Sequence, residues 1–145
     1  MSDISHTESP SQILFYRTSG VRFVRVASAG DLAKERVVLR ATADINVINL
    51  VLVGMNQGDD PSEVTDLNRD LFWFPDYAVK RDDYILLYTK AGHPRNYISP
   101  RGSTMHAFYW DKDHPVWTGE TNIVGILRVR GWHFYPIDPE IQEED

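Results

Sequence analysis

From Val21 onward the chain is cut into short runs of β-branched and aromatic residues, each bounded by Gly, Pro, Asn or Asp, and no segment keeps a helical period beyond a turn or two. Runs of that length suit strands and are too short for helices that bury a face; several in a row specify an all-β sandwich. Ile13 to Thr18 and Val21 to Ala27 read as two strands joined at Ser19-Gly20. In the second, Arg22 and Arg25 break strict alternation with Val21, Phe23, Val24 and Val26, which predicts a bulge. Glu35 to Thr42 places Val37 and Leu39 on one face and Arg36, Val38 and Arg40 on the other. Val47 to Met55 is almost continuously apolar, the mark of a strand covered on both sides.

Asn56 to Asn68 is the longest polar stretch inside the domain, and its part from Pro61 to Leu67 suits one helical turn. Leu71 to Phe74, Tyr84 to Lys90, Met105 to Trp110 and Val124 to Arg130 read as further strands, with Trp132 to Tyr135 as a last one. Lys80 to Asp83 forms a charged turn and Thr89 to Thr104 a long loop. Residues 1–11, rich in Ser, Thr, acids and Pro, read as a flexible acidic arm, residues 12–137 as the sandwich and residues 138–145 as an acidic tail.

With 145 residues the chain can bury roughly two-thirds of its unfolded surface without disulfides, and it has no cysteine to form one. Thiol catalysis and cysteine-ligated zinc are thereby excluded. The net charge of −6 is misleading as a total. Seven of the 21 acids lie in the two tails, so the body sets 14 acids against 15 Lys and Arg. A near-neutral body has no general drive towards phosphate backbones, although Arg22, Arg25, Arg36 and Arg40 cluster early in the chain as nucleic-acid-binding candidates. They also read simply as the outward positions of two-faced strands. The start MSDISHTESPSQ has neither a basic nor an apolar leader region, and no apolar run nears the length of a membrane span, so a cytoplasmic protein is expected.

His106, Asp111, Asp113 and His114 are the compact set of metal-capable groups, but their spacing matches no ligand motif and a solvated turn explains them. Asp59, Asp60, Glu63 and Asp66 lack the alternation of an EF-hand loop. No nucleophile elbow, phosphate loop or dinucleotide fingerprint is present. The expectation is a non-enzyme without cofactor. Arg95, Tyr97 and Arg101 combine hot-spot residue types in one long loop and are the partner-binding candidates.

The segment Phe108 to Leu127, with Tyr109-Trp110 followed by Val116-Trp117, resembles the paired aromatic motif of bacterial lamin-tail domains. Glu35-Arg-Val-Val-Leu-Arg40, Phe72-Trp-Phe-Pro75 and Asp82-Asp-Tyr-Ile-Leu-Leu-Tyr-Thr89 are similar to further motifs of that family, in the same order, and Ile45 to Val53 stands where the family has another. Two departures are visible: Leu50-Val-Leu-Val53 replaces a Gly-Trp, and Thr118-Gly-Glu-Thr121 replaces an Asn-Asn-Gly-Asp turn. The resemblance implies an immunoglobulin-like antiparallel β-sandwich that binds or scaffolds, with a protein partner or a second copy; neither a membrane nor a small-molecule ligand is expected. Two other readings stay open beside it: a nucleic-acid-binding accessory domain, and a metal-dependent hydrolase using His106, Asp111, Asp113 and His114.

Overall fold

A computed structural model describes residues 20–56, 65–119 and 121–139, and only the backbone of residues 65–69. Ten strands are present among them: β1 (Val21–Ala27), β2 (Arg36–Ala41), β3 (Ile45–Asn46), β4 (Leu50–Asn56), β5 (Thr65–Trp73), β6 (Ala78–Val79), β7 (Tyr84–Tyr88), β8 (Arg95–Ile98), β9 (Thr104–Tyr109) and β10 (Ile123–Arg128). They form a five-stranded sheet in the order β1-β2-β7-β9-β8, a three-stranded sheet β10-β4-β5 and a small β3-β6 pair. The all-β sandwich expected from the sequence is thus present. Its ladders are antiparallel except for β7 with β9, which run parallel.

The core lies between the two larger sheets. Val37, Leu39, Ile85, Leu87 and Phe108 face Leu50 and Leu52 across it, with Phe74, Val116 and Trp117 closing the sides. Phe74 meets Phe108 edge-on, and Phe72 meets Phe74 in the same way, the geometry that ring quadrupoles favour. Trp117 is buried and packs over Gly54, where an added Cβ would stand 3.4 Å from its ring and 2.9 Å from Thr121. Trp73 and Trp110 are partly buried, each donating its indole N–H to a backbone carbonyl, Ile48 and Leu71 respectively.

Glu35 is the buried charge that locks this core. It is fully buried at the entry to β2, and each carboxylate oxygen accepts two hydrogen bonds: Oε1 from the Thr89 hydroxyl (2.5 Å) and the Val116 N–H (2.8 Å), Oε2 from the N–H groups of Gly30 (2.8 Å) and Trp117 (3.2 Å). Gly30 takes a positive φ of 88°, a conformation glycine adopts without steric cost, in the turn that carries its N–H to the carboxylate. One side chain therefore joins the β1–β2 turn, the end of β7 and the 116–117 segment.

Several expectations are corrected. The predicted helical turn at Pro61 to Leu67 gives way, from Thr65 on, to β5, which is longer than the Leu71 to Phe74 strand expected; the earlier part lies outside the described residues. The Thr89 to Thr104 loop contains β8, an edge strand pairing with β9. Val47 to Asn49 is a 3-10 turn, so β4 begins only at Leu50, buried on both faces as predicted. Trp132 to Tyr135 forms no ladder. Trp132 and Phe134 instead lay their rings on Trp73, at 5.1 and 5.7 Å. The predicted Ile13 to Thr18 strand and the 1–11 arm lie outside the described residues, as does the acidic tail beyond Pro139. No helix among the described residues is long and apolar enough to cross a membrane.

Candidate functional site

The bulge expected in β1 is present between Phe23 and Arg25, and it has a consequence for charge. Val24 takes up the extra position, so Arg22 pairs with Arg40 and Arg25 with Val38, and both arginines end on the outer face of the five-stranded sheet. Without that phase change one of them would point into the core.

Strand pairing continues these positions across the sheet in three rows. The first runs Arg22, Arg40, Tyr84, Met105, Tyr97. The second runs Arg25, Val38, Leu86, Ala107, Arg95, and the third Ala27, Arg36, Tyr88, Tyr109. The middle row supplies a floor of Val38, Leu86 and Ala107, each no more than 3% exposed. Taller arginine and tyrosine side chains flank it on both sides.

Cations and rings on this face are already paired. The Arg36 guanidinium and the Lys90 ammonium lie 5.7 and 5.5 Å from the Tyr88 ring centre, Arg40 lies 5.4 Å from Tyr84 and Arg95 4.7 Å from Tyr97. Tyr88 and Tyr109 stack at 5.2 Å, 15° from parallel. Gly92 makes room for that stack: a Cβ there would sit 2.5 Å from the Tyr109 ring. Such cation–ring contacts contribute about 0.5–1 kcal/mol each where exposed, and they hold long side chains in fixed directions.

Among the described residues, hydrogen bonding leaves much of the Arg36 and Arg95 guanidinium capacity unused. Arg36 donates to the Lys34 carbonyl, Arg95 donates Nε–H to the Tyr109 hydroxyl at 3.4 Å, and Arg40 reaches Asp82 at 3.4 Å while its Nε stays buried without a partner. Among the described residues, Arg40 is the one of these cations paired with a carboxylate. The Tyr109 hydroxyl raises the Arg95 pKa further, and burial raises that of Tyr97, so the first stays cationic and the second neutral well beyond physiological pH.

The sequence candidates sort clearly against this geometry. Arg22, Arg25, Arg36, Arg40, Arg95 and Tyr97, drawn from two separate candidate sets, share one face. Arg101 does not join them; it is exposed in the Ser99 to Gly102 turn, where Gly102 N–H donates to the Ser99 carbonyl. Tyr84, Tyr88, Tyr109 and Lys90 are not among the binding candidates that the sequence offers. Their signal was present in the phase of Tyr84-x-Leu86-x-Tyr88, which repeats that of Arg36-x-Val38-x-Arg40.

The four metal candidates are not brought together. His106 sits on the core side of β9 with both ring nitrogens engaged, Nε2 with Asp83 and Nδ1 with the Tyr77 hydroxyl, each at 2.8 Å. Asp111 lies in a turn at φ 66°, and exposed Asp113 and His114 bond each other, which holds the Asp113 carboxyl below its ordinary range. Among the described residues no three His, Asp or Glu groups converge as metal ligands. Of the acids weighed for calcium, Asp59, Asp60 and Glu63 lie outside the described residues.

The Asp83–His106–Tyr77 line has the order of a hydrolytic triad, a carboxylate orienting an imidazole that faces a hydroxyl. Asn96 closes it by donating to the Tyr77 oxygen at 3.2 Å. With Nε2 bonded to Asp83 and Nδ1 to the Tyr77 hydroxyl, every polar group in the line has an internal partner. It ties β8 and β9 to the Tyr77 and Asp83 turns. A scan against models of protein families found no match for this chain, and a search of curated proteins found none either.

Proposed function

We propose that the protein is a non-catalytic interaction module, an immunoglobulin-like sandwich of lamin-tail type, that binds an acidic protein segment on the outer face of its five-stranded sheet. The observation carrying this reading is the convergence of Arg22, Arg25, Arg36, Arg40 and Arg95 on one face of a chain whose body is close to neutral overall. Guanidinium forks match carboxylates bidentately, and tyrosine rings beneath Arg36, Arg40 and Arg95 hold those three in place.

The second reading, single-stranded nucleic acid, draws on the same cations and on four tyrosines. Base stacking needs free ring faces. Here Tyr84, Tyr88 and Tyr97 each carry a cation over the ring, and Tyr109 is stacked on Tyr88. That arrangement favours carboxylate capture over base readout. The hydrolase reading finds no support in the placement of its four residues, and the closed Asp83–His106–Tyr77 line supports a structural role.

Binding of a labelled Asp/Glu-rich peptide and of a thymidine oligonucleotide of equal charge, followed by fluorescence anisotropy, tests the proposal. Peptide affinity is expected to fall at least about tenfold between low salt and about 1 M salt, where the Debye length is about 3 Å. No peptide binding at low salt, or tighter binding of the oligonucleotide, contradicts it.

A further inference from the structure

The opposite side of the sandwich has the reverse character. On the outer face of the three-stranded sheet, strand pairing aligns Leu127, Val51 and Trp73 in one row and Gly125, Val53 and Leu71 in the next. The central residues Val51 and Val53 are buried although they lie outside the main core cluster, while Leu71 and Leu127 beside them are half exposed. The segment after β10 runs onto this face: Trp132 and Phe134 rest on Trp73, and the His133 and Tyr135 rings lie 4.4 Å apart, tilted by 42°.

Leu71, Leu127, Trp132, Phe134, Tyr135 and Ile137 are between 43% and 88% exposed. With about 150–250 Å² for each aromatic side chain, the six leave on the order of 600–700 Å² of apolar surface on this face and on the segment that follows β10. The largest apolar patch of a monomer is typically about 300–600 Å², and one partner of a stable complex buries about 800 Å². The area is that of half a dimer interface.

We infer that this face is the isologous interface of a homodimer, each copy covering the other's Leu71, Leu127 and 132–137 segment. A two-fold contact brings a patch against itself, so the patch must be complementary to itself. An apolar surface satisfies that requirement. The arginine face does not, because cation would meet cation. The two faces therefore divide the work, one for a second copy and the other for an acidic partner. Since the sheets lie back to back, the dimer presents two arginine faces pointing away from each other, a bivalent scaffold that gains by avidity on a multivalent partner. That bivalency rests on the proposed function; the dimer itself does not.

Light scattering on size-exclusion-purified full chain, at low salt and at about 1 M salt, tests the inference. The expected mass is about twice 16.7 kDa in both, because apolar burial resists screening. Leu127→Gln with Phe134→Ser and Ile137→Ser changes exposed side chains; it is expected to weaken the dimer about 100-fold or more while keeping the circular dichroism spectrum of the fold. Phe134→Ser alone, a milder change, is expected to shift the same equilibrium in the same direction. A monomer at all concentrations overturns the inference, as does a dimer that survives the triple substitution or dissolves in high salt. A monomer that still binds the acidic peptide removes the dimer and leaves the proposed function standing; a dimer without peptide binding does the opposite.

Discussion

Replacing Glu35 with Ala is expected to cost about 4 kcal/mol or more and to lower Tm by on the order of 15 °C, the largest effect of any single substitution away from the apolar core. The side chain is fully buried and is the acceptor for three backbone N–H groups and the Thr89 hydroxyl. Removing it strands four donors in a region water does not reach, at about 1–3 kcal/mol for each that finds no new partner. Glu35→Gln is the sharper test. Each oxygen serves two donors, so the amide NH2 must face two of them whichever way it flips. A loss of about 2–3 kcal/mol follows despite the nearly identical shape. Thermal unfolding followed by circular dichroism measures both; a Gln variant as stable as the parent would show that the carboxylate is not the lock described above.

The second large effect concerns binding. Arg25→Ala, Arg36→Ala and Arg95→Ala together are expected to weaken acidic-peptide binding at least about 100-fold at low salt, from about 1 kcal/mol or more lost per charge-assisted contact. Stability should change little, because Arg25 and Arg95 are exposed and Arg36 contributes mainly a surface contact over Tyr88. Arg101→Ala, compared with Arg25→Ala, Arg36→Ala and Arg95→Ala taken singly, serves as the control of equal charge. It stands off the face, so its effect is expected to stay within about threefold. Equal losses for Arg101 and for the face arginines would mean that net charge, and not this arrangement, attracts the peptide.

Much of the fold is legible in the sequence because period-two alternation reports directly on which face is buried. The β1 bulge could be read from the spacing of Arg22 and Arg25, and the doubly buried β4 from its unbroken apolar run. β8 could not. It is a four-residue edge strand whose side chains are exposed except for a partly buried Tyr97, held by ladder bonds to β9 on one side only, and nothing in Arg95-Asn-Tyr-Ile98 announces that pairing. Trp132 to Tyr135 misled in the opposite direction, since its alternation reflects two rings seated on Trp73 and not a ladder.

The candidate face shows the same division. Its residues were found in two separate places, as early arginines and as a later loop, because sequence distance hides what register creates. The parallel β7–β9 ladder sets Tyr84 beside Met105 and Tyr88 beside Tyr109, and β8 then adds Arg95 and Tyr97 at the far edge. No local pattern encodes a parallel pairing, so this juxtaposition appears only in the folded chain. Glu35 was noticed as the start of a strand motif, while its function as a hub depends on Val116 and Trp117, 81 and 82 positions further on.

Backbone amide shifts of the labelled protein during titration with the Asp/Glu-rich peptide would test the central claim most directly. Perturbations are expected to concentrate at Arg22, Arg25, Arg36, Arg40, Tyr84, Tyr88, Arg95 and Tyr97, with β4, β5 and β10 unmoved. Shifts centred on Leu71, Leu127 and Trp132, or none at saturating peptide, would contradict the assignment of the arginine and tyrosine face as the binding surface.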